Sequence, residues 1–146
     1  MSQLYQLYQS VDKDTFTQMV CGQAPYFSTI APRFELLEPG RAQVNVPFRK
    51  EITNHLGTVH AIALCNAAEL VAGTMTDVSI PAGARWIPKG MTVEYRAKAK
   101  TDVVAVADGS QVDWSQEGDL VVPVSIADSD GTEVFTAAIT MNVRHG

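Results

Sequence analysis

The sequence predicts an α+β fold in which one curved antiparallel sheet wraps around one long helix. Three observations carry this. Residues 60–75, HAIALCNAAELVAGTM, have helical length and no charged face. Two extended segments precede that stretch and four follow it. Strands segregated in this way, without alternating βαβ units, exclude a parallel sheet. With 146 residues the chain suits one domain with one core, spanning 1–146. Its 46% hydrophobic and 18% charged content is globular rather than disordered.

The elements follow in order. A short helix is expected over about 12–21, capped by Asp12 or Asp14, with Phe16, Met19 and Val20 at helical spacing before Gly22 and Pro25 end it. Arg33–Leu37 and Arg41–Phe48 flank Glu38-Pro39-Gly40 and form a hairpin. Its second arm alternates, with Ala42, Val44, Val46 and Phe48 on one face. The polar loop 49–57 leads into the long helix, about 58–75. Strand character begins at Trp86, with arms at Met91–Ala97, Asp102–Ala107, Leu120–Ala127 and Thr132–Val143; Asp128-Ser129-Asp130-Gly131 closes the last hairpin.

Composition also restricts function. A net charge of −5 argues against a nucleic-acid or anionic-membrane binder, both of which need basic patches. Cys21 and Cys65 stand alone, outside metal-ligand spacing, so a reduced cytoplasmic protein is expected. The first residues, MSQLYQLYQSVDKD, lack the basic-then-apolar order of a secretory signal, and no apolar run is read as a bilayer span. His55 and His60 lack a third ligand, so no metal is expected. His145 lies next to the C-terminus and is read as solvated, and Trp86 and Trp114 as packing residues.

Thirteen of the sixteen residues in 60–75 are apolar, small, Gly or Thr; the exceptions are His60, Asn66 and Glu69. Such a helix must be covered on nearly all sides, by sheet or by a second subunit. A carboxylate is rarely left there without reason, because its desolvation is expensive. Ile62, Asn66, Glu69 and Gly73 share one stripe, so Glu69 and Asn66 point the same way. Glu69 is then either a structural acid, paired with an arginine or exposed at a helix edge, or a chemical group. Just ahead lies Asn54-His55-Leu56-Gly57-Thr58-Val59-His60-Ala61, ending where unpaired helix amides favour a developing negative charge. Acyl transfer needs such a feature beside the group that activates the nucleophile.

This pattern resembles the hotdog thioesterases of the phenylacetate-degradation and mammalian thioesterase-superfamily-member type. Their signature reads roughly Asn-x-x-Gly-x-x-His-Gly-Gly, with an acid nine residues after the His. Asn54, Gly57 and His60 fit, and Glu69 lies nine residues beyond His60. The two family glycines are replaced by Ala61 and Ile62, and Ile87-Pro88-Lys89-Gly90 offers no hydroxyl where some relatives carry one. These departures point to a divergent branch. The resemblance implies a hotdog fold and hydrolysis of an acyl-CoA thioester without a cofactor. It implies that the Ala61 amide polarises the carbonyl, that Glu69 across a dimer interface acts as base or nucleophile, that Asn54 holds the water or carbonyl, and that His60 orients the loop.

Arg85, Lys89, Arg96, Lys98 and Lys100 gather around the third strand as candidates for CoA phosphates, or as a solvated face. Asn66 is a further substrate-contact candidate. A homodimer or homotetramer is expected, since pairing two sheets covers an exposed edge and the helix. Two alternatives compete: a non-catalytic acyl-CoA or fatty-acyl binding module, favoured by the Ala61-Ile62 replacement, and a hotdog dehydratase or hydratase, which would pair its acid with a His that the Glu69 stripe lacks.

Overall fold

The structure is a computed structural model that describes residues 2–146. Helices α1 (Gln3–Ser10) and α2 (Lys13–Gln23) lead through a 3-10 turn, Pro25–Ile30, into strands β1 (Arg33–Glu38) and β2 (Arg41–Val46). After a short turn at Lys50–Ile52 comes α3 (Ala61–Ser79), followed by β3 (Arg85–Tyr95), β4 (Val103–Asp108), β5 (Gly118–Asp128) and β6 (Glu133–Arg144). All six strands form one sheet in the order β1-β2-β4-β5-β6-β3, and every neighbouring pair is antiparallel. The concave face packs on α3. This is the hotdog architecture that the element order predicts.

Alternation explains which side of each strand is buried. Ala42, Val44 and Val46 on β2, Val103, Ala105 and Ala107 on β4, and Val122, Val124 and Ile126 on β5 all turn inward against Ala68, Leu70, Val71, Ala72 and Met75 of α3. Phe48 does not join them. Pro47 has no N–H to continue the ladder, β2 stops at Val46, and Phe48 is left partly exposed.

Four boundaries differ from expectation. Helix α1 was not anticipated; Ser2 caps it by accepting from the Tyr5 amide, and Leu4, Leu7 and Tyr8 pack on the core. Asp12, one of the two expected caps, starts α2 by accepting from the Thr15 amide at 2.7 Å, and the helix runs on to Gln23 rather than ending near 21. The T-shaped contacts Tyr8–Phe16 (5.1 Å) and Phe16–Phe34 (5.0 Å) tie both helices to β1. Third, α3 continues past Met75 to Ser79, because no helix breaker occurs before Pro81. At 19 residues and mean hydropathy 1.2 it does reach the length and apolarity of a membrane span, contrary to the sequence reading; burial within the sheet accounts for that apolarity here. Fourth, β3 runs from Arg85 to Tyr95 with a bulge at Lys89, and leaves Arg96 and Ala97 outside the strand.

Strand β3 is an edge, paired on one side only. Ile87 (61% exposed) and Tyr95 (59%) leave apolar surface along it, and Ile62 at the start of α3 is 53% exposed.

Candidate active site

The loop before α3 is closed by its own polar groups. Asn54 accepts through Oδ1 from the Leu56 amide (3.0 Å), the Thr58 amide (3.1 Å) and the Thr58 hydroxyl (3.1 Å), and its Nδ2 lies 2.9 Å from Thr58 Oγ1. The Asn54 amide donates to the Thr58 carbonyl (2.9 Å), and the Gly57 amide to the Asn54 carbonyl (3.1 Å). Gly57 has φ +76°, a left-handed conformation that glycine adopts without strain. The loop is fastened to the body where the Val59 amide donates to Ala99 O and the His60 amide to Ile52 O, each at 2.8 Å. The Asn54 carboxamide is therefore spent within the loop.

His60 is the N-cap of α3, and its Nδ1 accepts from the Ile62 amide at 3.0 Å. The imidazole thus orients the loop and the first helical turn. The Ala61 amide next to it has no acceptor among the described residues. It opens on a cleft of about 310 Å³ lined by Asn54, Thr58, Ala61, Leu64, Tyr95 and Lys98, among others. A free amide at a helix N-terminus suits an oxyanion.

Glu69 lines a different cleft, of about 450 Å³, between α3, the α1–α2 pair and β3. Most of its wall is apolar: Leu4, Leu7, Met19, Val20, Phe27, Leu70, Trp86, Ile87 and Pro88. Glu69 is half-buried and has no ion-pair or hydrogen-bond partner among the described residues. Of the two structural explanations, an arginine partner is absent among the described residues, while the partial exposure of Glu69 is that of a helix edge. Because α3 is longer than expected, Glu69 is not its only acid. Asp77 lies eight residues on and lines the same cleft, where its Oδ1 accepts from Trp86 Nε1 at 2.8 Å.

Glu69 and Ala61 are eight residues apart on one helix. At 1.5 Å and 100° per residue this separates them by about 12 Å along the axis and about 80° around it. Within one chain they cannot flank the same carbonyl carbon.

Asn66 is buried and holds the turn before β1: Nδ2 lies 3.2 Å from Thr29 Oγ1 and 3.4 Å from Tyr26 O. Its Oδ1 is buried without a partner. The basic residues divide. Lys89 pairs with Asp119 at 3.0 Å, and the hydrogen bond from Asn142 together with the Lys89 ammonium holds the Asp119 carboxyl below its usual value. Arg96 pairs with Glu94 (3.1 Å) and Glu133 (3.4 Å). Arg85 sits opposite Arg144 at the far end of β3, roughly 30 Å from Tyr95 by strand rise. Of the five, Lys98 lines the Ala61 cleft without a carboxylate partner, while Lys100 is exposed just beyond it. The five do not form one patch.

Trp86 packs on the core, as expected, and also lines the Glu69 cleft; Asp77 and the α1 leucines, which line it too, were not singled out in the sequence. Asp77 could have been found one helical turn past Gly73, and Leu4, Leu7 and Tyr8 from their helical spacing.

Comparison with known proteins places the fold. The family model of the domain of unknown function DUF4442 matches residues 12–143. The structural-genomics crystal structure APC5556 is 61% identical, with a TM-score of 0.91 over 99% of this chain and 97% of that one. A Pseudomonas aeruginosa protein of unknown function, called a probable thioesterase, is 22% identical with a TM-score of 0.80 over 93% of this chain and 97% of its own. Thioesterase HI1161 of Haemophilus influenzae is 11% identical with a TM-score of 0.79, covering 93% of this chain and 92% of its own. At these identities the last two show the shared hotdog fold. No curated protein is significantly similar in sequence.

Proposed function

This chain belongs to the DUF4442 family, and within it we propose a thioesterase that hydrolyses acyl-CoA. The observation that carries the proposal is Glu69: a half-buried carboxylate facing an apolar cleft with no cation or hydrogen-bond donor to explain it. An unpartnered carboxylate beside an apolar cleft is free to act on what the cleft holds. The thioesterase-named structures with the same fold support the reaction class.

The site is shared between two copies. Since Ala61 and Glu69 of one chain stand about 12 Å apart along α3, Ala61 of the partner subunit supplies the amide that faces Glu69. The unpaired edge of β3, with Ile87 and Tyr95 exposed, is the surface through which two sheets join antiparallel.

In the reaction the thioester carbonyl oxygen accepts from the Ala61 amide. Glu69 takes a proton from water, whose oxygen attacks the carbonyl carbon; the negative charge passes to the carbonyl oxygen at the helix end. Collapse of the tetrahedral intermediate breaks the C–S bond. The departing thiolate takes the proton from Glu69, leaving a carboxylic acid and CoA thiol. Direct attack by Glu69, with an acyl-enzyme anhydride hydrolysed afterwards, uses the same placement. Asn54, Gly57 and His60 position the amide without touching the substrate, and Lys98 meets the anionic end of CoA. Thiol release from a panel of acyl-CoA esters by the purified protein tests the proposal. Acyl-CoA binding without thiol release would instead make it a binding module.

A further inference from the structure

The Trp86 indole bounds the Glu69 cleft on the side away from that carboxylate. On α3 the lining runs from Glu69 through Leu70, Gly73 and Thr74 to Asp77. Glu69 and Gly73, over which the Trp86 ring lies, are four residues apart, about 6 Å along the helix. The indole is held by its Nε1 bond to Asp77 Oδ1 at 2.8 Å. Its ring lies across Gly73 so closely that a Cβ there would be 2.8 Å from Trp86 Cη2. Glycine is required for this approach: the ring occupies the space a side chain would take. The T-shaped contacts of Tyr8 with Phe16 and of Phe16 with Phe34 fix the α1–α2 roof.

Between its ends the cleft offers little to a polar ligand. The Thr74 hydroxyl is turned back to Leu70 O at 2.8 Å, and Pro88 has no amide hydrogen to donate. Apart from Gln23, the remaining wall is aliphatic or aromatic. Its volume, about 450 Å³, lies in the range of small-ligand sites, roughly 300–1,000 Å³. An occupant that enters past Glu69 must therefore be a slim apolar chain with its reactive group at the mouth.

We propose that Trp86, braced by Asp77 and seated on Gly73, is the stop that limits the acyl chain, so that the cleft takes linear aliphatic chains of about four to six carbons. This rests on the thioesterase reading for the position of the carbonyl at Glu69. The length follows from geometry. A fully extended chain advances about 3.5 Å for every three bonds, so about 6 Å accommodates roughly five bonds.

The test compares the parent with Trp86→Ala and Gly73→Ala, using saturated straight-chain acyl-CoA esters and their non-hydrolysable S-alkyl-CoA thioethers from two to sixteen carbons. Parent thioether affinity is expected to rise about fourfold per added methylene up to about six carbons and then fall. Trp86→Ala moves the maximum at least two carbons longer. Gly73→Ala pushes the indole into the cleft and moves it shorter. Affinity that climbs unbroken to sixteen carbons in the parent overturns the stop, whatever the variants do. So does an unmoved maximum in folded variants, the result expected if a second copy of the chain fills the cleft. Thioether binding and turnover separate the two proposals. A chain-length maximum without thiol release keeps the stop and ends the thioesterase reading, whereas turnover indifferent to both substitutions does the reverse.

Discussion

Asn54 offers the sharpest quantitative test of how the oxyanion loop is held. Asn54→Ala removes the acceptor for the Leu56 and Thr58 amides and the link to the Thr58 hydroxyl. At about 1 kcal/mol net per hydrogen bond, less where water can replace it, the loss is about 2 kcal/mol. For a chain of this size, at roughly 2–4 °C per kcal/mol, the melting temperature should fall by about 4–8 °C. Asn54→Asp keeps the acceptor for both amides and loses the Nδ2 donor, so it should cost less than half as much. Gly57→Ala isolates the backbone contribution. No atom lies within 4 Å of the added Cβ, leaving only the left-handed penalty of about 1 kcal/mol. Calorimetric melts read all three. An Asn54→Ala protein that melts within 1 °C of the parent would refute the loop-clasp role. If it also lost turnover, Asn54 would be a direct substrate contact.

Three further outcomes are expected. Tyr95→Lys and Met91→Lys place charge on the β3 edge, and light scattering should report monomers that have lost thioester turnover together with dimerisation; an active monomer would contradict the shared site. Lys98→Ala should raise KM for acyl-CoA with little change in kcat, an effect that shrinks with salt, while Lys89→Ala should leave KM unchanged because that ammonium is engaged by Asp119; equal KM effects from both would return the basic residues to a diffuse field. Burial pushes the Cys65 thiol up, against a weaker opposing hydrogen bond from Tyr95, so less of it is thiolate at any pH near 8; maleimide labelling should be slower than for free cysteine, and Tyr95→Lys, by opening the edge, should speed it.

The fold was legible because its strongest signals are local. The Glu38-Pro39-Gly40 turn, the alternation of β2 and the charge-free run at 60–75 each specify one element. The ends were less legible. Thr76 and Asp77 look like a polar exit from the helix, yet Thr76 is fully buried with its hydroxyl on Ala72 O, and Asp77 is held by Trp86. Those partners come from tertiary structure, which local pattern does not carry. The basic residues misled for a similar reason. They are close in sequence, but the bulge at Lys89 and the end of β3 send them to different faces, and carboxylates from β5 and β6 engage two of them. Helix α1 was readable from the spacing of Leu4, Leu7 and Tyr8, which matters because those leucines roof the Glu69 cleft.

The central claim, that Glu69 performs the chemistry, is tested most directly by the turnover of Glu69→Gln. Glutamine keeps the volume and polarity of the side chain but cannot accept a proton or attack as a carboxylate. Because Glu69 makes no hydrogen bond or ion pair among the described residues, the substitution breaks no contact, and the melting temperature should stay within about 2 °C of the parent. With acyl-CoA still bound, kcat should fall by roughly 100-fold or more, the scale for losing a general base. A folded, dimeric Glu69→Gln protein that releases thiol at the parental rate would contradict the account.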